Sequence, residues 1–237
     1  MRSENRVPKS ASVRGAEGHR EAFTLVELLV VIAIIGILLA VAGSALSSTG
    51  TSERRAARGE IQGLLTRARS HAISSGDPTA LVMIGLASGP DDMRGKVLSL
   101  FEVKRNVASG DWEVEEQLRR WLELPGSTIL MDGSTVGATS EKGSNVLDEA
   151  VRLTVEVPSG TSGSKIEVEA SFVVFESTGA VSHPSGSGRV EFYIGQGVIR
   201  SGRLTVTEKT SSGAVVADRV VLSRLTGRAQ AVASTQG

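Results

Sequence analysis

Cysteine is absent from the 237 residues. Its absence excludes disulfides, iron–sulfur clusters, thiolate zinc sites and a cysteine nucleophile together, while leaving the redox compartment open. Histidine is nearly as scarce: there are three, and His19 lies in a charged amino-terminal stretch. Little material remains for a catalytic triad or a histidine metal centre. An excess of charge of either sign is also missing, with 26 basic and 26 acidic residues. No whole-chain field therefore recruits nucleic acid or an anionic membrane, and any such partner needs a local patch. These absences argue against an enzyme and against a resident cofactor or metal. The length fits one globular domain with an additional segment.

That segment is an apolar run of 24 residues, Phe23 to Leu46, with Glu27 as its single charge. As a helix at about 1.5 Å per residue it is roughly 36 Å long, enough for a hydrocarbon core of about 30 Å. Before it lie 22 polar residues, with five basic against three acidic side chains. Lys9, Arg14 and Arg20 precede the span and Arg54, Arg55 and Arg58 follow it, so the basic residues alone do not orient it. Glu27 inside such a segment costs several kcal/mol unless it reaches the headgroups or meets a cation.

The string from Ala22-Phe23-Thr24-Leu25-Val26-Glu27 through Ile37-Leu38 resembles the cleavage and methylation segment of type IV prepilins and type II secretion pseudopilins. The resemblance implies that a prepilin peptidase cuts between Ala22 and Phe23 on the cytoplasmic side and then methylates the new amino terminus at Phe23. It also implies a role for Glu27 as the assembly carboxylate, neutralising the free amine of Phe23 or that of a neighbouring subunit. An unpaired charge in apolar surroundings costs more than a paired one, so such a pair penalises misregistered subunits. Two features depart from the family pattern: Ala22 stands where Gly is usual, and the mid-span proline of many major pilins is missing, which points to a minor subunit. Two other readings stand beside this one. Ala40-Val41-Ala42 after the apolar run Leu28 to Leu39 also fits an ordinary secretory signal on a secreted β domain. The second is a DNA-binding, FimT-like minor pilin.

Beyond the span, Ala57, Ile61, Leu64, Leu65, Ala68 and Ala72 fall on one helical stripe between Glu53 and Ser75, and Gly76 and Pro78 stop it. Five arginines against Glu53 and Glu60 give this helix a net +3, read first as a solvated face. Leu64 to Gly85, with Ala68, Arg69 and Ala72, resembles the helix-to-strand junction of the GspH/FimT minor pseudopilin group. Short β-rich runs follow, near 79–87, 96–104, 112–116, 128–131, 151–157, 166–176, 189–194, 203–208 and 215–223, as expected of antiparallel sheet. The Ser/Gly-rich stretches 132–148, 158–165 and 182–188 read as mobile loops. Phe175 to Gly179 and Leu222 to Arg228 resemble the same group's Phe-x-x-x-Gly turn and closing Thr-Gly-Arg turn.

Other chemistry is weak. Gly89 to Val97 fails the phosphate-loop spacing and ends in Val, and Asp91-Asp92 lacks an EF-hand spacing and reads as a solvated turn. His71 and His183 read as surface residues, and Trp112 and Trp121 as packing residues. Arg200, Arg203, Lys209, Arg219, Arg224 and Arg228 are the material for a DNA-binding patch, but Gly227-Arg228-Ala229-Gln230 lacks the second arginine of the family's DNA-binding members, and nucleic acid is not expected as a partner.

The expected architecture is α+β and pilin-like: a leader over 1–22, a transmembrane helix and filament-assembly segment over 23–46, a helix continuation over 47–76, and an antiparallel β head over 77–237. The expected product is a single-pass inner-membrane subunit, its amino terminus cytoplasmic and its head outside, assembled into a periplasmic or surface filament. Its implied partners are prepilin peptidase, other pilins or pseudopilins through the amino-terminal helix, an inner-membrane assembly platform and the lipid bilayer.

Overall fold

The computed structural model describes residues 25–137, 143–159 and 164–232, with the backbone alone for 39–49. The chain divides into two compact units, residues 1–45 and 46–237. Helix α1 (Leu25–Ser75) carries residues of both. Within the second unit it presents Ala57, Ile61, Leu64, Leu65, Ala68 and Ala72 to the interior, each at most 1% exposed. This is the stripe that the sequence spacing predicts.

Among the described residues thirteen strands follow: β1 (Thr79–Ile84), β2 (Val97–Arg105), β3 (Trp112–Gln117), β4 (Leu122–Glu123), β5 (Thr128–Met131), β6 (Gly143–Asn145), β7 (Leu153–Ser159), β8 (Ser164–Phe175), β9 (Val181–His183), β10 (Arg189–Arg200), β11 (Arg203–Val206), β12 (Ala217–Leu222) and β13 (Ala229–Val232). The first sheet has the order β3-β2-β1-β8-β7, with β4 on β2 and β9 on β8. The second is built on β10, which pairs antiparallel with β5, β11 and β12, while β13 extends β12. Only the three-residue β6 runs parallel to its partner, β10, among the described residues.

Alternation along β1 explains why it is buried on both faces, unlike a strand with one face in water. Leu81 and Met83 join the helix stripe, together with Val173 and Phe175 of β8, Phe192 and Ile194 of β10, and Val220 and Leu222 of β12. Ala80, Val82 and Ile84 point the other way, into a second core with Phe101, Val103, Val155, Val157, Phe172 and Val174. Helix α1 is thus packed against residues of both sheets, and the first sheet separates two cores.

The structure corrects the sequence reading in three places. The expected strand 189–194 continues to Arg200 through two glycines. A Cβ at Gly197 would come within 2.9 Å of Ile129 Cδ1 and 3.0 Å of Leu204 Cδ1 and the Thr205 carbonyl, so the glycine permits close packing where it reads locally as a break. The expected loop 132–148 supplies core: Asp132 caps the short helix α2 (Gly133–Val136) by accepting from Thr135 N at 2.6 Å, and Val146 and Leu147 are buried. Within the expected loop 182–188, β9 ends on the buried pair His183 and Pro184.

The closing turn carries a strict requirement. Gly227 has φ +60°, and a Cβ there would strike the Gly179 carbonyl oxygen. Gly227→Ala is expected to cost about 2 kcal/mol or more through left-handed backbone and crowding together, read as a lower denaturant midpoint with an unchanged slope.

Candidate functional site

Ala22 and Phe23, the expected cleavage and methylation residues, lie outside the described residues. Glu27 lies in the first turn of α1 and is exposed. It is the one charged residue between Leu25 and Leu38, where large apolar side chains face outward all round the helix: Leu25 is 80% exposed, Ile37 66% and Val30 48%. A helix apolar on every face has no solvated side, so it belongs in lipid or among other helices. Among the described residues no helix is long and apolar enough to cross a membrane; of the segment 23–46, side chains are described only for 25–38.

In the second unit α1 is held to the head by polar contacts as well as by its apolar stripe. The Gln196 amide donates to the Gly50 carbonyl at 3.0 Å and to Glu53 Oε2 at 3.1 Å, and Glu53 also accepts from the Ser127 backbone at 3.3 Å. Arg54 is 4% exposed and forms an ion pair with Glu208, while Arg58 lies 3.7 Å from Asp218. Further along, Gln62 donates to the Ala229 carbonyl and Arg69 Nε to that of Thr226 at 2.8 Å. The reading of the helix arginines as a solvated face is therefore corrected for Arg54, Arg58 and Arg69. Their acceptors lie more than 140 residues away in sequence, so no local pattern marks them.

Residues 19–43 match the family profile described as the prokaryotic N-terminal methylation motif. The match covers the amino-terminal segment and leaves the head outside it. The described residues form an amino-terminal helix followed by an antiparallel β head. Two crystal forms of the type IV minor pilin FimU of Pseudomonas aeruginosa (strain PAO1) are similar to the chain. The P21 form shows 16% identity, covers 76% of this chain and 89% of FimU, and has a TM-score of 0.41. The P65 form shows 16% identity, covers 75% and 90%, and has a TM-score of 0.37. No curated protein matches the chain at a significant level.

In this head the six basic residues of the possible DNA patch are divided. Arg224 is buried with Nε donating to the Gly188 carbonyl, Arg219 lies 3.4 Å from Glu191, and Arg200 and Arg203 face each other in the β10–β11 hairpin. Asp91 sits in a turn as expected, with its side chain partly in solvent, and accepts from the Gly202 backbone and pairs with Arg94, so it ties two turns together. Trp121 packs at 5.6 Å from Phe101 and Trp112 lies against the second core, both as packing residues. His71 is half-buried, with Nδ1 3.1 Å from Thr79 Oγ1. His183 is the clear correction among the histidines: it is 6% exposed and stacked on Phe172 at 4.0 Å.

Two predictions follow from these geometries. Arg54→Met leaves Glu208 facing an apolar side chain and is expected to lower stability by about 1–3 kcal/mol, with Glu208→Gln on the same background restoring part of it, as read from thermal unfolding. Burial and then the charges of Arg224 and Arg152 pull the His183 ring down to about 4. The unfolded ring protonates near its ordinary 6.5, so between these values the unfolded state binds more protons and stability drops as pH falls. A loss on the order of 3 kcal/mol from this residue is expected between pH 6.5 and 4, and His183→Gln should flatten that part of the stability–pH curve.

Proposed function

We propose that the chain is a minor pilin-like structural subunit of a type II secretion or type IV pilus filament, most similar to the GspH/FimT group. The observation that carries the reading is the methylation motif over residues 19–43 on a helix whose apolar side chains are exposed on every side around Glu27. In this reading prepilin peptidase cuts between Ala22 and Phe23 and methylates Phe23. The helix from Phe23 to Leu46 then holds the subunit in the inner membrane, with its head outside the cytoplasm. On transfer to a filament, apolar neighbouring helices replace lipid at little net change in burial, so register comes from Glu27 meeting a Phe23 amine and from contacts of the heads. The inner-membrane assembly platform and the other pilins are the partners this cycle requires.

Intact mass and amino-terminal sequence of the protein from its native membrane test the processing step. Methylated Phe23 is the expected start; a start at Gly43 makes the chain a secreted domain and an intact Met1 makes the segment a plain anchor, and either removes this mechanism. Glu27→Ala is expected to leave insertion and head stability unchanged while lowering incorporation into filaments about tenfold, equivalent to about 1.4 kcal/mol. Quantitative immunoblotting of sheared filaments against membranes measures it.

A further inference from the structure

Burial of positive charge in the head follows two patterns. Arg54 is enclosed and, although its Nε and Nη1 make no hydrogen bond among the described residues, it has Glu208 as its counter-ion. Arg224 is also enclosed, at 8% exposed, yet both of its Nη atoms are buried with no hydrogen-bond partner among the described residues. Its Nε alone is used, donating to the Gly188 carbonyl at 2.7 Å. Arg152 repeats this: Nη2 donates to the Leu147 carbonyl at 3.1 Å, and Nη1 is buried and unpartnered. His183 adds a third such nitrogen, since its Nε2 is buried without a partner and its ring is held by stacking 14° from parallel on Phe172. The neighbouring Ser182 hydroxyl is unpartnered too.

These groups converge. On β8, Leu153, next to Arg152, pairs with Ala170 and His183 pairs with Val174, while the Val181 backbone N–H donates to the Arg224 carbonyl at 2.8 Å; the charges of both arginines act on the His183 ring. The loop after Pro184 passes over the guanidinium, so that a Cβ at Gly186 would stand 3.7 Å from Arg224 Nη2. Two acids lie in electrostatic range, Glu149 of Arg224 and Asp148 of Arg152. Neither forms an ion pair with an arginine among the described residues, and Asp148 accepts from the Gly133 backbone instead. Arg152 also borders a cavity of about 340 Å³ whose wall includes Asp132, Asp148 and Glu169, a lining that repels anions.

Buried N–H groups without acceptors are rare, and a buried guanidinium needs compensating charge as well as acceptors. A water molecule supplies the acceptors and not the charge. An oxyanion supplies both, and the planar fork of arginine suits its paired oxygens. We propose that Arg152, His183 and Arg224 form a binding site for a small inorganic oxyanion of the phosphate or sulfate class, beneath the exposed loop 185–188. Two guanidiniums neutralise the ligand, and the His183 ring and Ser182 hydroxyl donate to its remaining oxygens. Entry requires the Gly/Ser loop to lift, because the donors are enclosed. The site stands independently of the filament reading, since all its residues belong to the head.

The test uses the full-length protein in detergent, with equilibrium dialysis against radiolabelled inorganic phosphate and thermal unfolding in phosphate or sulfate against chloride at matched ionic strength. Close to one phosphate per chain is expected, displaced by sulfate, with unfolding several degrees higher than in chloride. Arg224→Gln and, separately, Arg152→Gln are expected to weaken binding at least tenfold; the second leaves the Arg224 contact to the loop in place and guards against a folding failure of the first. Absence of bound phosphate, or equal binding by wild type and both variants, overturns the proposal. A drop in stability on Glu149→Gln with no phosphate bound by the wild type likewise overturns it, by making Glu149 the built-in counter-ion.

Discussion

The head depends on the insertion of one apolar helical stripe between residues of two sheets. Ile61, Leu64 and Leu65 fill the volume while Ala57, Ala68 and Ala72 keep the backbone close, and all six are essentially fully buried. Burying each of the larger side chains contributes about 1.5–3 kcal/mol relative to exposure. The second sheet has few other ways to cover its inner face: Phe192, Ile194, Val220 and Leu222 all meet this stripe in one cluster. The first sheet carries the remaining load by being apolar on both faces, which requires strands such as β1 with no polar alternation.

Polar contacts then fix how the helix lies along that groove. Apolar packing is tolerant of sliding, whereas Glu53 between Ser127 and Gln196, Arg54 on Glu208 and Arg69 on the Thr226 carbonyl each specify one position. Such contacts add little net stability but penalise alternatives, because a displaced partner is left buried and unpaired. The same rule makes the Arg152–His183–Arg224 cluster conspicuous, since both Nη atoms of Arg224, Nη1 of Arg152 and Nε2 of His183 are buried without a hydrogen-bond partner among the described residues.

The two ends of α1 obey opposite rules. In the second unit the helix is amphipathic, with a stripe in the core and polar residues outside. Between Leu25 and Leu38 it is apolar around its whole circumference, apart from Glu27. A protein that keeps both patterns on one helix needs a second apolar environment besides its own core.

The sequence by itself determined the elements whose signals are local. The helix from Leu25 onward, the stripe from Ala57 to Ala72 and most long strands were legible because period and composition act over a few neighbouring residues. The short strands β4, β6, β9 and β13 were not, since two to four residues become strand only when a neighbour offers its hydrogen bonds. Tertiary structure alone decided that Gly197 continues β10, that Val146 and Leu147 belong to the core, and that Arg54 and His183 are enclosed while Arg55 remains in solvent. Each of those outcomes is set by groups far away in the chain, such as Glu208 for Arg54 and Phe172 for His183, and a charge or a ring carries no mark in its own sequence window of what will cover it.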